Sequence, residues 1–472
     1  MSMNPMKRNL NTFFAPNSVA IIGASTVPYK PGYEVVRNIL DNEYSGKIYP
    51  VNPKGDKILG LKVYPSIESL PEGIELAVII LPAESCPRAL LDCTRKGIKH
   101  FVLSAGGFAE VDEPRAQIQQ DLLRILRETG ASVLGPNTSG HISTPHRLTS
   151  TFFPLGKVRR GTISYVAQTG NFATHTMKYI LTAEHFGVAR VIGLGNKIDI
   201  DESDALEYLG DDSETKAILM YLENIKRPEH FLRIARNVTR MKPVIVLKGA
   251  STEGGKKAAI AHTAAMAQED RIVNGLLRQA GVVQILDYTH LVLAGKALSM
   301  VPLPKGNRIS LLAPSGAMLV VLTDLCTRLG LEIPELAPET LKRLQEISPP
   351  FIRMRNPVDI SGSVTTKGFE FGYREGMEAV LKDPNIDAVV SILRFSEGEK
   401  IPSFDFIYDL VKKYPEKPVI ISFSGEKKYM ECCKEFLEPL GVATFQEIEQ
   451  PFEVLSILAR CRYAMSRPPG AA

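Results

Sequence analysis

Residues 163–171 read ISYVAQTGN, and residues 309–317 read ISLLAPSGA. Both follow the pattern I-S-x-x-A-x-[TS]-G. In each, an apolar run stops at a glycine turn and gives way to a helical pattern, FATHTMKYI in the first copy and AMLVVLTDL in the second. A short apolar run bounded by turn signals marks a buried strand. Two further matches keep the same order: NKIDI at 196 with NPVDI at 356, and KPVIVL at 242 with KPVIIS at 417. The offsets are 146, 160 and 175 residues. One coincidence is easy; three in one order imply a duplication. The chain therefore carries two related α/β domains. They are joined by MVPLPKGNR at 300–308, where proline and glycine stop the preceding helix.

Outward from the repeat, the N-terminal section has the same grammar. SVAIIGAS, KIYPVNP, LAVIILPA, HFVLSAGGF and ASVLGPN read as strands, with GYEVVRNILDN and CPRALLDCTRKG as helices between them. Strands that are apolar throughout and alternate with helices imply a parallel sheet covered on both faces. The expected fold is α/β with three parallel-sheet domains. A Rossmann-like domain spans 1–150, and two related flavodoxin-like domains span 151–304 and 305–472.

Composition narrows the function. The 472 residues exceed one ordinary domain, and 44% hydrophobic with 23% charged is the balance of a globular chain with real cores. A net charge of +4 is too mild for a nucleic-acid binder and suits an anionic small ligand. There is no tryptophan, so base-stacking platforms are not expected. Cys86, Cys93, Cys326, Cys432, Cys433 and Cys461 form no C-x-x-C pair, which points to reduced thiols and a cytoplasmic setting. The opening MSMNPMKRNLNTFFAPNS has no apolar signal core, and the longest apolar runs are strand-sized. Neither a leader nor a membrane span is expected.

The turn after the first strand, IIGASTVPYKPG, contains Gly23, Ala24 and Ser25. Backbone N–H groups and a helix N-terminus can hold a pyrophosphate there. The motif is not G-x-G-x-x-G, and the second strand ends YPVNPKG, with Asn52 and Lys54 where a dinucleotide ribose wants an acid. A carboxylate would repel a phosphate; a lysine attracts one. Coenzyme A, with a pyrophosphate and a 3′-phosphate, fits better than NAD. In VLGPNTSGH at 133–141, Gly135, Pro136, Asn137 and Gly140 form a turn that lets a ligand approach the backbone, although an ordinary interdomain turn reads equally well.

Gln168, Thr169, Gly170 and Asn171 form a strand-to-helix turn. Its free N–H groups, backed by a helix dipole, make an anion site without a charged side chain. LGNKIDID at 194–201 is a polar turn after another strand. AILMYLENI puts Glu223 after an apolar strand, at the end where α/β sheets hold ligands. A carboxylate there can orient an imidazole by accepting its N–H. The candidate imidazole is His262, in LKGASTEGGKKAAIAHTAAMA, with no metal ligand near it, although a lone histidine is more often structural or merely exposed. Small neighbours give it room to meet a phosphate or to move between two stations. Neutral imidazole is a nucleophile near pH 7, and a carboxylate on its other nitrogen sharpens it. The second copy has FSGEKKYMECCKEFLE at the corresponding place and no histidine. His141 and His175 are weaker candidates.

Taken in order, the glycine turn, the GPN turn, QTG, GNK.D, Leu222-Glu223 and His262-Thr263 resemble the NDP-forming acyl-CoA synthetases, relatives of succinyl-CoA synthetase. The likeness covers nearly the whole chain and is strongest to α subunits of the ADP-forming acetyl-CoA synthetase type. The resemblance implies reversible conversion of acyl-CoA, phosphate and ADP to acid, CoA and ATP through an acyl phosphate and a phosphohistidine. It implies that His262 carries the phosphoryl group, that Glu223 steadies it, and that Gln168, Thr169, Gly170 and Asn171 cradle phosphate. Gly23, Ala24, Ser25, Asn52, Lys54, Pro82 and Asn137 would line the CoA site. The same resemblance implies a separate β chain with an ATP-grasp domain, carrying ATP or ADP and Mg²⁺, in a hetero-oligomer. CoA and a small carboxylic acid are the implied ligands, with neither nucleic acid nor membrane as partner. The chain departs from the family at Ala261-His262-Thr263-Ala264, for the usual S-H-T-G, and at Ala167-Gln168-Thr169-Gly170, for S-Q-S-G. Ala264 keeps an alternative open: a CoA- or acyl-CoA-binding protein with a regulatory role.

Overall fold

Ser18–Ile22 is buried along its whole length, as a strand must be when parallel neighbours flank it and helices cover both faces. The chain is described here from a computed structural model covering residues 7–55, 57–255, 257, 269–395 and 402–467. The first sheet is parallel throughout and runs Lys47–Val51, Ser18–Ile22, Leu76–Ile79, His100–Leu103, Ser132–Leu134, or 2-1-3-4-5 in chain order. Helices Pro31–Asp41, Cys86–Arg95 and Glu113–Thr129 provide crossovers. Asp112 caps the last by accepting the Arg115 N–H, and Gly130 ends it in the left-handed conformation. Ile21, Val78 and Val102 have no exposure, and burial of each contributes about 1.5–3 kcal/mol.

The second sheet runs Val283–Ile285, Val244–Lys248, Ala217–Leu222, Arg160–Ala167, Val188–Gly193, His141–Ser143, Leu148–Thr149. Its five parallel strands repeat the order 2-1-3-4-5. The other two are an antiparallel hairpin laid on the outer edge of Val188–Gly193. The boundary expected near residue 150 therefore follows two strands that pair in the second sheet. Covering an open edge is the physical reason: the chain leaving the turn at 135–140 runs directly onto it. The first two sheets also share a core. Leu10, Phe13 and Phe14 join it, with Phe13 edge-on to His100, and Phe14 edge-on to His141 and stacked on Tyr208.

The described residues from Tyr288 to Arg467 form a compact unit of their own. Its parallel sheet runs Val358–Asp359, Ile309–Ala313, Ala388–Phe395, Val419–Gly425, Ala443–Phe445, again 2-1-3-4-5. Helix Thr289–Met300 belongs to this unit, with Leu293 and Ala297 in one core with Leu455 and Leu458 of Gln450–Ser466. The sequence boundary at 304 thus follows a helix that packs with the later residues.

Strand register tests the duplication. Ile163 pairs with Ala217 as Ile309 pairs with Ala388, and Ile218 pairs with Val244 as Val389 pairs with Val419. Two of the three sequence matches therefore hold residue for residue. The NKIDI and NPVDI match does not. Val166 pairs with Ile192, and Leu312 pairs with Val358. This sets NPVDI against residues 190–194 rather than 196–200. NPVDI enters a strand, while NKIDI turns away after one, so their likeness is local.

Candidate active site

Parallel strands all end on one edge, so the turns that follow them converge. In the first sheet the Gly23 N–H donates to Val51 O at 3.2 Å and the Ile80 N–H to Ile22 O at 2.8 Å. Asn52 Nδ2 donates to Ala24 O at 2.6 Å, while its Oδ1 accepts the Lys54 N–H at 2.7 Å. Asn52 thus shapes two turns and leaves the Lys54 side chain exposed. Gly23 has φ +93°, and a Cβ there would meet Ile80 O at 2.3 Å, so a side chain has no room. Ser25 Oγ accepts the Val27 N–H at 3.1 Å. Pro82 precedes the short turn into Cys86–Arg95, and the Asn137 N–H donates to Ala105 O at 2.6 Å. Gly23, Ala24, Ser25, Asn52, Lys54, Pro82 and Asn137 all stand on this one edge. The Ser104 hydroxyl is buried there with no hydrogen-bond partner among the described residues. A buried hydroxyl beside open backbone turns and an exposed lysine fits an anionic, hydrogen-bonding ligand.

The second sheet builds a different edge. Gln168 Oε1 accepts the Glu223 N–H at 3.0 Å and the Asn224 N–H at 3.4 Å, and its Nε2 donates to Asn224 Oδ1 at 3.0 Å. One side chain therefore fixes the backbone that follows the neighbouring strand. Glu223 is 8% exposed, and Tyr221 Oη donates to its Oε1 at 3.3 Å. The Gly249 N–H donates to Leu222 O at 2.9 Å. The carboxylate thus lies where Val244–Lys248 hands the chain to the segment leading to His262. His262 itself, with Thr263 and Ala264, lies outside the described residues.

Gly170 and Asn171 are exposed at this edge, and Thr169 Oγ1 accepts the Asn171 N–H at 3.2 Å. The helix expected behind them starts differently. Phe172–Thr176 winds as a π turn, and α-helix begins only at Met177. Thr174 Oγ1 donates to Gly170 O at 2.9 Å and to Asn171 O at 3.1 Å. The Thr176 N–H reaches back five residues to Asn171 O at 3.2 Å, the bond that makes the turn wide.

Lys197 was legible only as part of a polar turn, yet it is central. It is 2% exposed, and Nζ donates to Glu202 Oε2 at 2.8 Å, Asn224 Oδ1 at 2.8 Å and Asn224 O at 3.0 Å. Asn224 is shared between Lys197 and Gln168, so a network runs from buried Glu202 to the backbone of Glu223. Its signal in the sequence is a lysine in a polar turn, five residues before a glutamate. The adjoining Asn196 faces the first domain. Its Nδ2 donates to Glu110 Oε2 at 2.7 Å and its Oδ1 accepts from Asn137 Nδ2 at 3.3 Å. Glu110 Oε1 also accepts the N–H groups of Gly107 and Phe108, at 2.8 and 3.1 Å. Burial pushes the Glu110 carboxyl up, but these bonds outweigh it and hold it below its usual range. Gly195 has φ +55° and a Cβ there would sit 2.1 Å from Pro136 O. The turn 195–197 therefore clasps the GPN turn on one side and the Gln168–Glu223 arrangement on the other.

The weaker histidines stand apart. His141 is fully buried, with Nδ1 2.8 Å from Ser150 Oγ. Burial, aided by the nearby Arg190 charge, pulls it down to about 4 against the backbone of Phe13. It is a neutral structural group. His175 is exposed against the Phe153 ring, on the π turn. All six cysteines are free, and burial raises Cys86, Cys93, Cys326 and Cys461 to about 12, so these thiols are unreactive. Among the described residues no cluster of His, Cys, Asp or Glu could hold a metal ion, and no helix is long and apolar enough to cross a membrane.

Three family descriptions match in series: a CoA binding domain over 17–143, a succinyl-CoA ligase like flavodoxin domain over 160–298, and a ligase-CoA domain over 309–468. The chain is 34% identical over 463 residues to acetate–CoA ligase [ADP-forming] II of Archaeoglobus fulgidus, covering 97% of this chain and 68% of that one. It is 32% identical over 458 residues to the α subunit of acetate–CoA ligase [ADP-forming] I of Pyrococcus furiosus, covering 95% and 97%. Its structure superposes on the dinucleotide-forming acetyl-coenzyme A synthetase 1 of Ca. Korarchaeum cryptofilum, solved with phosphate and ADP. The TM-score is 0.90 at 31% identity, over 97% of this chain and 98% of the other.

Proposed function

Because the chain belongs to the NDP-forming acyl-CoA synthetase family, whose members are acid–thiol ligases, we propose that it works as the α-type chain of such a ligase through a phosphohistidine at His262. Phosphate attacks the thioester carbonyl carbon, the C–S bond breaks, and CoA leaves as the thiolate. The imidazole of His262 then attacks phosphorus, and the carboxylate leaves. A terminal phosphate oxygen of ADP takes the phosphoryl group and frees the histidine. The reverse sequence makes acyl-CoA. Phosphoryl transfer depends on positioning and on electrostatic support rather than on bonds made by the protein, apart from that nucleophile.

The observation that carries this reading is Glu223. Gln168 fixes its backbone, Tyr221 bonds its carboxylate, and the strand beside it leads into the histidine segment. A carboxylate so placed accepts one imidazole N–H and leaves the other nitrogen as the nucleophile. Gln168, Thr169, Gly170 and Asn171 hold the phosphate at the same edge. CoA lies along Gly23, Ala24, Ser25, Asn52, Lys54, Pro82 and Asn137, with Lys54 as the cation for a phosphate. A separate ATP-grasp β chain carries ADP or ATP with Mg²⁺, which makes the working enzyme a hetero-oligomer.

The test is a coupled assay of the chain with a candidate β chain. CoA release from acyl-CoA should require both phosphate and ADP, and His262→Asn should abolish it while calorimetry shows unchanged CoA affinity. Release of CoA by His262→Asn at the wild-type rate would contradict the assignment.

A further inference from the structure

The strand starts of the first two sheets lie on the side away from the edge described above, and positive charge gathers there. A cavity of about 650 Å³ opens at the seam between the two domains. Topology fixes its place. Arg147 lies in the turn of the edge hairpin, beyond Ser143, which pairs with Arg190 near the start of Val188–Gly193. Arg160 begins its own strand, and Glu43 falls between helix Pro31–Asp41 and strand Lys47–Val51. Arg147, Lys157, Arg159 and Arg160 line the cavity against one acid, Glu43. The lining thus carries a surplus of three positive charges, in a chain whose net charge is +4.

The ion pairs present do not exhaust that surplus. Arg147 and Lys157 share Glu43, at 3.5 and 3.2 Å, and the three side chains are 61, 69 and 57% exposed. Pairs so exposed contribute about 0–1 kcal/mol, so an anion can displace the carboxylate at small cost. Arg160 pairs at 2.8 Å with Glu214, which is not in the lining. Arg159 donates to two carbonyls, Glu184 O at 2.8 Å and Phe186 O at 3.1 Å. The frame beneath is tied down. Asn42 Nδ2 donates to Gly156 O at 3.0 Å, and its Oδ1 accepts the Val158 N–H at 2.8 Å. Thr144 Oγ1 donates to Val188 O at 2.6 Å. Glu43 and Arg147, facing each other across the seam, both hold positive φ, +57° and +54°. That backbone is uncommon for residues other than glycine, and it persists where the surrounding structure fixes it, often at ligand sites.

Several cations converging on a cavity of small-molecule size select a compact polyanion. A monocarboxylate would engage one of them and leave the others unmet. We propose that this cavity is a second anion site, which binds an oligophosphate, free or as the phosphate tail of a nucleotide. It stands apart from the CoA edge and from the turn at 168–171. Its phosphates take Arg147 and Lys157 from Glu43, so occupancy replaces the ion pairs that cross between the first two domains. The inference goes beyond the ligase reading and does not depend on it.

The experiment is calorimetric titration of the full chain with pyrophosphate, ADP and ATP, each with and without excess CoA. Pyrophosphate should bind equally well in both conditions, and more weakly as salt is raised. The double variant Arg147→Gln, Lys157→Gln should weaken it by roughly 10- to 100-fold, and melting curves should show that variant folded. Lys54→Gln and Thr169→Ala, at the other two sites, should leave pyrophosphate binding unchanged. Tighter binding of ADP or ATP than of pyrophosphate, lost in the same double variant, would name a nucleotide as the source; equal binding would name a free oligophosphate. No pyrophosphate binding by the wild type, equal binding by the double variant, or displacement of pyrophosphate by CoA would each overturn the site.

Discussion

The second and third sheets share strand order and register, yet they end in different chemistry. Both run 2-1-3-4-5. After the fourth strand, the second domain continues from Lys248 into the long segment toward His262. The third turns at Gly425 and enters helix Lys427–Leu437 almost at once. At the end of the third strand one domain offers Glu223 and the other Arg394. The second domain alone adds an antiparallel hairpin and the buried Lys197 network. Duplication copied the frame; a few residues at strand ends divide the work.

Substitutions at four positions would sharpen or break that contrast. The largest effect is expected at Glu223. Glu223→Gln keeps the shape but removes the charge proposed to orient the imidazole, so kcat should fall by about 10²–10⁴-fold with CoA affinity unchanged by calorimetry. Full turnover would mean that the difference from Arg394 has no catalytic content. Next is Lys197→Met, which strands buried Glu202 and should cost about 3–5 kcal/mol in a urea transition. Lys197→Arg should not restore it, because a planar guanidinium cannot reproduce three bonds to Glu202 and Asn224.

The third concerns pH. His141, on the added hairpin, is held down to about 4 in the folded chain, against about 6.5 unfolded. The folded state therefore binds fewer protons between these values. Its contribution is fully present above about pH 6.5 and is lost as pH falls toward 4, by about 3 kcal/mol in all. His141→Gln should flatten the stability profile in that window; an unchanged slope would assign the acid sensitivity elsewhere. The smallest effect is expected at Asn196→Ala, which removes the bond to Glu110 and should cost about 1.5 kcal/mol without changing kcat.

Much of this was legible in the sequence because the signals are local. Continuous apolar runs and glycine turns marked the strands, and Glu223 was readable as an acid just past a buried strand. What escaped depends on distant neighbours. NPVDI looked like NKIDI, but pairing of Leu312 with Val358 decides the register, and pairing is not written in five residues. Lys197 was legible only as part of a polar turn because its partners, Glu202 and Asn224, meet it only in the fold. The hairpin at 141–149 and helix Thr289–Met300 joined later elements because open edges and apolar faces sought cover. The π turn after Asn171 shows only in the backbone bonding of Thr176 N–H to Asn171 O, where pattern alone suggested a plain helix start.

The central claim is that His262 carries the phosphoryl group, and labelling tests it most directly. The purified chain, with and without a β chain, would be incubated with radiolabelled phosphate and a panel of acyl-CoAs. The account predicts label that is acid-labile, base-stable, dependent on acyl-CoA and absent from His262→Asn. Label that persists in His262→Asn, or no label with any acyl-CoA while CoA still binds, would contradict it.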